Sequence, residues 1–211
     1  MMIQNEIKIK SIRFNSMRRL VIILHGYGNA GKDYIKHVNE DYANKIDDAI
    51  FLLPDAPKPC ETWTGNQWFP LDLENMNCED IRKGIESALP LITRYIENKS
   101  AEYKCDEICL IGISQGAIMA LQMIYHLNIS KIVAYCGMFL QRDNVIPVTT
   151  PDVLLIHSKN DKIIPFTYAT KAKNDLCALG LSVELKTYMN TGHKVSQDGW
   201  RYGAEMLNRR W

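Results

Sequence analysis

The sequence predicts an α/β fold, with a mostly parallel central sheet and helices on both faces. Two observations carry this expectation. Short apolar runs recur along the 211 residues, and helical stretches separate one run from the next. Strands that alternate with helices are joined by right-handed crossovers into a largely parallel sheet. Dividing the length by roughly 150 residues per domain favours one domain spanning residues 1–211.

The strands are read at residues 20–24 (LVIIL), 49–53 (AIFLL), 107–111 (EICLI), Lys131–Tyr135 (KIVAY), 153–157 (VLLIH) and Val183–Tyr188 (VELKTY). Most lack polar alternation, as expected where both sheet faces are covered. Between them, residues 80–98 place Ile81, Ile85, Ala88, Ile92 and Ile96 along one helical stripe. Residues 115–127 are apolar nearly all round and predict a buried helix. Residues 166–179 and Gln197–Asn208 complete the helices. Residues 54–77 form the longest irregular stretch, rich in Trp, Pro, Asn and Asp. A connection of that length in a compact domain is usually functional or disordered, and its aromatic residues argue for the former.

Composition excludes several function classes. Twenty-five Lys and Arg against 24 Asp and Glu leave a net charge of +1, so no basic surface is predicted for nucleic acid or anionic membrane. No run approaches the roughly 18 apolar residues of a membrane span. The first fourteen residues alternate polar and apolar, without the apolar stretch of a signal peptide. Six cysteines form no C-x-x-C pair, and Cys109 and Cys136 fall in apolar runs. Free thiols fit a cytoplasmic protein better than a secreted one.

Two glycine motifs compete for the function. Gly26-Tyr27-Gly28-Asn29-Ala30-Gly31 is a G-x-G-x-x-G between a strand and a helical stretch, with Asp55 further on. That is the context of a dinucleotide-binding turn. Gly112-Ile113-Ser114-Gln115-Gly116 is a G-x-S-x-G, also between strand and helix. There the serine sits on a turn so tight that its neighbours must be small, and Gly112, Gly116 and Ala117 are small. The second reading asks for an acid after a later strand, and Asp161 follows 153–157. It asks for a histidine after the next, and His193 follows Val183–Tyr188. The order Ser, Asp, His is that of α/β-hydrolases, with an early loop, here His25-Gly26-Tyr27-Gly28, at the oxyanion position. The dinucleotide reading leaves these further features as accidents.

Each assignment has a rival. Ser114 could cap the following helix. Asp161 competes with Asp143, Asp152 and Asp175, of which Asp152 precedes its strand and Asp175 lies within a helix. His193 competes with His37 and His126 in helical segments, with His157, which packs under the site, and with His25, which braces the early loop. Trp63, Trp68 and Phe69 are either core aromatics or the lining of a substrate cleft. With Met138, Phe139 and Leu140 after the 131–135 strand, Trp68 and Phe69 are expected to form an apolar acyl groove.

HGYG, GISQGA, HSKND and TGH, together with VIILHG and QWFPL, resemble the phospholipase/carboxylesterase family that includes acyl-protein thioesterases. The resemblance runs from about Leu20 to the C-terminus. It implies that the backbone N–H groups of Tyr27 and Gln115 receive an oxyanion. The family commonly carries Asp where this chain has Asn29, and Gly where it has Ala117. Trp68-Phe69-Pro70-Leu71 resembles a bacterial branch, which favours a general carboxylesterase over palmitoyl-protein substrates.

The expectation is a serine carboxylesterase without cofactor or metal, using Ser114, Asp161 and His193. Its substrates would be small or lipid esters, with thioesters and lysophospholipids as further acyl donors. The alternatives are an acyl-protein thioesterase or lysophospholipase, a peptidase or acyltransferase, or a non-catalytic binding protein on the same fold. No nucleic acid partner or stable membrane insertion is expected, and the sequence is compatible with a monomer or a homo-oligomer.

Overall fold

A computed structural model describes all residues except 1, 2, 4, 17, 62, 73–75, 210 and 211. In chain order its strands are β1 (Glu6–Lys10), β2 (Arg19–Leu24), β3 (Ala49–Pro54), β4 (Lys58–Pro59), β5 (Asn66–Gln67), β6 (Glu107–Ile113), β7 (Lys131–Tyr135), β8 (Asp152–Ser158) and β9 (Val183–Tyr188). Seven of them form one sheet in the order β1-β3-β2-β6-β7-β8-β9, and β4 and β5 make a small separate hairpin. Every pair in the large sheet is parallel except β1 with β3. β1 was not among the expected strands. Its sequence, EIKIK, alternates, and lysines on such an edge discourage pairing with another chain.

Helices cover both faces. A helical stretch after β2 changes pitch twice, from a tight turn at Gly31–Tyr34 through α1 (Ile35–His37) to a wide turn at Val38–Ala43. α2 (Cys78–Tyr103) begins where Asn77 Oδ1 accepts the Asp80 amide at 2.9 Å. α3 (Gln115–Gln122) has all eight residues buried, so its lack of a polar face follows from its position. The expected continuation to residue 127 is instead a tight turn at Met123–Tyr125. α4 (Phe166–Ala178) and α5 (Gln197–Asn208) follow, α5 capped by Ser196 Oγ at 3.0 Å from the Gly199 amide.

Alternate residues of the central strands feed two cores. Leu20, Ile22 and Leu24 pack with Ile85, Ile92 and Met119 under α2, α3 and α4. Val21 and Ile23 pack with Tyr42, Trp200 and Leu207 under the 31–43 stretch and α5. Trp200 joins the second core, stacked on His37 at 4.5 Å and inclined to Tyr135 at 4.7 Å. Buried Lys131, at the start of β7, turns its ammonium onto the carbonyls of Met206, Leu207 and Arg209, which close α5. Among the described residues no helix is long and apolar enough to cross a membrane.

Parallel β2, β6, β7 and β8 all end on the same edge of the sheet. In open α/β sheets that carboxyl edge is where loops converge on a ligand.

Candidate active site

Ser114 stands between β6 and α3 with φ 52° and ψ −112°, a conformation that L residues rarely adopt. Such a backbone costs on the order of 1–3 kcal/mol and persists only where its surroundings enforce it. The enforcement here is steric. A Cβ on Gly112 would come within 2.4 Å of the Gly116 carbonyl oxygen, and one on Gly116 within 2.0 Å of the Leu24 oxygen. Ala117, where the family commonly has glycine, fits because residue 137 is glycine. A Cβ there would meet the Ala117 methyl at 2.5 Å.

The serine side chain makes no capping bond to α3, which removes the helix-cap reading. Its Oγ lies 2.8 Å from His193 Nε2, and His193 Nδ1 lies 2.7 Å from Asp161 Oδ2. Nδ1 faces a carboxylate and therefore carries the proton, which leaves Nε2 bare to accept from the serine. Asp161 Oδ1 accepts the Ile163 and Ile164 amides, each at 2.9 Å. Burial alone would raise its pKa. Hydrogen bonding from His157 and His193, the His193 charge and the Ile164 amide together outweigh burial and hold the carboxyl below the usual carboxylate range.

The loop carrying His193 is fixed from beneath. Asn160 Oδ1 accepts the Gly192 amide at 3.0 Å and the Ser158 hydroxyl at 2.6 Å. The Cys136 thiol donates to the Lys194 carbonyl at 3.7 Å. Burial first, then the Asp161 charge, pushes that thiol up to about 12. Cys136, Asp161 and His193 offer donor atoms within 4.8 Å of one another. The carboxylate and imidazole already bond each other and a protonated thiol is a weak ligand, so we assign no metal there.

The rival residues lie elsewhere. Asp152 opens β8, Asp175 pairs with Lys171 at 2.6 Å on α4, His37 stacks on Trp200, and His126 meets Arg142 at 3.2 Å. His25 is fully buried. Its Nε2 accepts the Ala56 amide at 2.9 Å, so its Nδ1 donates to the Gly26 carbonyl at 2.7 Å. The 25–28 loop lies against the serine, since a Cβ on Gly26 would stand 3.5 Å from Ser114 Cβ. Tyr27 belongs to this loop, and Gln115 opens α3, where no helical acceptor exists for its amide.

The amides at the helical end of the G-x-G-x-x-G are already taken by side-chain carboxylates. Asp33 Oδ2 takes the Ala30 amide at 2.9 Å and Asp55 Oδ1 the Gly31 amide at 2.7 Å. The anion that a dinucleotide would supply is thus already provided by the chain.

The expected acyl groove is corrected by burial. Trp68, Phe69, Met138, Phe139 and Leu140 retain at most 7% of their surface and sit in the α2–α3 core. Trp68 Nε1 donates to the His25 carbonyl at 2.9 Å, and Phe139 stacks on Tyr125 at 6.1 Å. A clamp that sequence reasoning missed holds the loop in. Buried Gln115 accepts the Trp68 amide at 2.8 Å and donates to the Phe69 carbonyl at 2.7 Å. Its signal was a polar side chain opening a helix that is apolar up to its last residue, Gln122. Trp63 is the loop aromatic left at the surface, 59% exposed, edge-on to Tyr27 at 6.1 Å and packed on Gly28.

A family model described as phospholipase/carboxylesterase matches residues 9–208. The chain belongs to the phospholipase/carboxylesterase family. Among related members, esterase YpfH of Escherichia coli (strain K12) is 22% identical over 194 residues, covering 90% of this chain and 82% of that protein. Acyl-protein thioesterase 1 homolog 1 of Dictyostelium discoideum is 22% identical over 194 residues, with 84% of each covered. A relative named probable inactive carboxylesterase Os04g0669700, from Oryza sativa subsp. japonica, is 26% identical over 203 residues, covering 84% and 78%. The crystal structure of esterase PE8 superposes with a TM-score of 0.88 at 29% identity, covering 95% of both chains. Family membership therefore makes this an esterase-type α/β-hydrolase.

Proposed function

We propose that the chain is an active serine carboxylesterase that forms an acyl-enzyme on Ser114. The observation that carries this reading is the unbroken chain from Ser114 Oγ through His193 to Asp161, at 2.8 and 2.7 Å, on a strained turn. Such strain has a use only if the hydroxyl must project toward a substrate.

Ser114 Oγ attacks the ester carbonyl as His193 Nε2 takes its proton, and Asp161 stabilises the imidazolium so formed. The amides of Tyr27 and Gln115 receive the oxyanion. One such donor is worth about 2.7–4 kcal/mol in the transition state. His193 then protonates the leaving alcohol, and water, deprotonated by the same nitrogen, releases the acid. A thioester would pass through the same acyl-enzyme. Six unpaired cysteines fit a reducing compartment, and we place the protein in the cytoplasm.

Labelling by a fluorophosphonate and hydrolysis of a p-nitrophenyl ester, both lost in Ser114→Ala, are the expected results. A wild-type protein that folds yet shows neither would place the chain with inactive members of the family.

A further inference from the structure

We propose that His157, the histidine of β8, is a positioning residue for the Asp161 carboxylate. This rests on the esterase reading of the preceding section. His157 is 2% exposed, and its Nε2 lies 2.8 Å from the Ile164 carbonyl and 3.3 Å from Asp161 Oδ2. Both neighbours are acceptors, so Nε2 must carry a proton, directed at the carbonyl and shared with the carboxylate.

The bond to Ile164 closes a small circuit. Ile164 donates its own amide to Asp161 Oδ1 at 2.9 Å, so His157 fixes the turn that in turn fixes the carboxylate. Oδ2 then lies between two imidazoles, His193 at 2.7 Å and His157 at 3.3 Å. The other groups facing this pair are the Ser114 hydroxyl, the Cys136 thiol from the end of β7, the Ile163 amide and the Phe166 ring of α4, edge-on to His157 at 6.1 Å. With no exposed side-chain surface, Asp161 has no water to replace a missing donor.

Removing the His157 proton therefore has two consequences. The carboxylate is less firmly oriented, and more of its charge falls on His193. The second effect stabilises the His193 imidazolium, so the free base forms at higher pH.

The test compares His157→Phe with His157→Gln, whose side-chain amide can still donate toward Ile164 and Asp161. In His157→Phe, kcat should fall on the order of tenfold with little change in KM. The acid limb of kcat/KM should move up by about half a pH unit or more. His157→Gln should recover most of both changes. Folded Phe and Gln variants that both keep the wild-type limb and kcat would overturn the proposal, as would equal impairment of the two, which would assign the ring to packing alone. The wild-type protein supplies a check that needs no variant and no activity. Two-bond ¹H–¹⁵N correlation should find His157 protonated at Nε2, and a bare Nε2 overturns the proposal. Loss of ester hydrolysis in Ser114→Ala with a normal His157→Phe would sink this inference and leave the esterase reading standing.

Discussion

Asp161 is the residue on which burial and charge collide most directly. A carboxylate with no exposed side-chain surface survives as an anion because two amides and two imidazoles face it. Asp161→Asn keeps the shape and presents His193 with a donor in place of an acceptor, which favours the wrong tautomer. A loss of about 10⁴ in kcat is expected in the folded variant, with KM nearly unchanged. Near-wild-type turnover in the folded variant would move the role to another acid. His25 sets a different pH signature. Burial is the largest influence on it and lowers its pKa from the usual histidine value. The folded chain therefore binds fewer protons than the unfolded chain just below pH ~6.5, and stability is full above that value and lost as pH falls through it. One such proton changes stability by at most about 1.4 kcal/mol per pH unit. His126, lowered by burial and by Arg142, acts with the same sign. Denaturant unfolding from pH 7.5 to 5 should show a shallower fall in His25→Asn than in the wild type. An identical slope would mean that His25 is not held neutral.

At the scale of elements, the tight turn between β6 and α3 shows how much of a site is legible in a sequence. Gly112 and Gly116 were readable because a tight strand-to-helix turn admits nothing larger, and Asp161 and His193 because each follows its own parallel strand. Replacing Gly116 by Ala drives a Cβ to 2.0 Å from the Leu24 carbonyl oxygen, backbone that cannot yield. A loss of more than about 4 kcal/mol, or failure to fold, is expected. Gly180→Ala is the control. Its φ of +86° makes alanine strained, but nothing lies within 4 Å, so roughly 1–2 kcal/mol should be lost. Equal unfolding free energies for the two variants would refute the steric account. β1 escaped notice because five alternating residues on a sheet edge carry too little apolar signal. The pitch changes after Gly31 were invisible because local sequence does not distinguish helical forms that packing decides. Burial of Trp68 and Phe69 depends on the Gln115 clamp from another element, which no window along the chain contains.

For the whole molecule, the consequence is that Trp68 and Phe69 of the long loop are spent inside. Phe69 is 0% exposed and presses on Gly84, where a Cβ would meet its ring at 2.4 Å. Phe69→Ala should therefore cost about 3–5 kcal/mol of stability and leave the substrate profile unchanged. Trp63, edge-on to Tyr27 of the 25–28 loop, and Ile163, whose amide bonds Asp161, keep apolar surface exposed, and contact with the acyl chain is expected there. A methylene fully buried gains about 0.8 kcal/mol, and one lying against a single open face about half of that. Extending the acyl chain from two to six carbons should then raise kcat/KM by about 10- to 20-fold, chiefly through KM. An enclosed groove would give roughly 200-fold. Trp63→Ala should flatten the series with little effect on acetyl esters. A rise of 200-fold that survives Trp63→Ala would mean that the loop opens to expose Trp68 and Phe69 when substrate binds. The shorter, shallower series is the one that a closed loop core dictates.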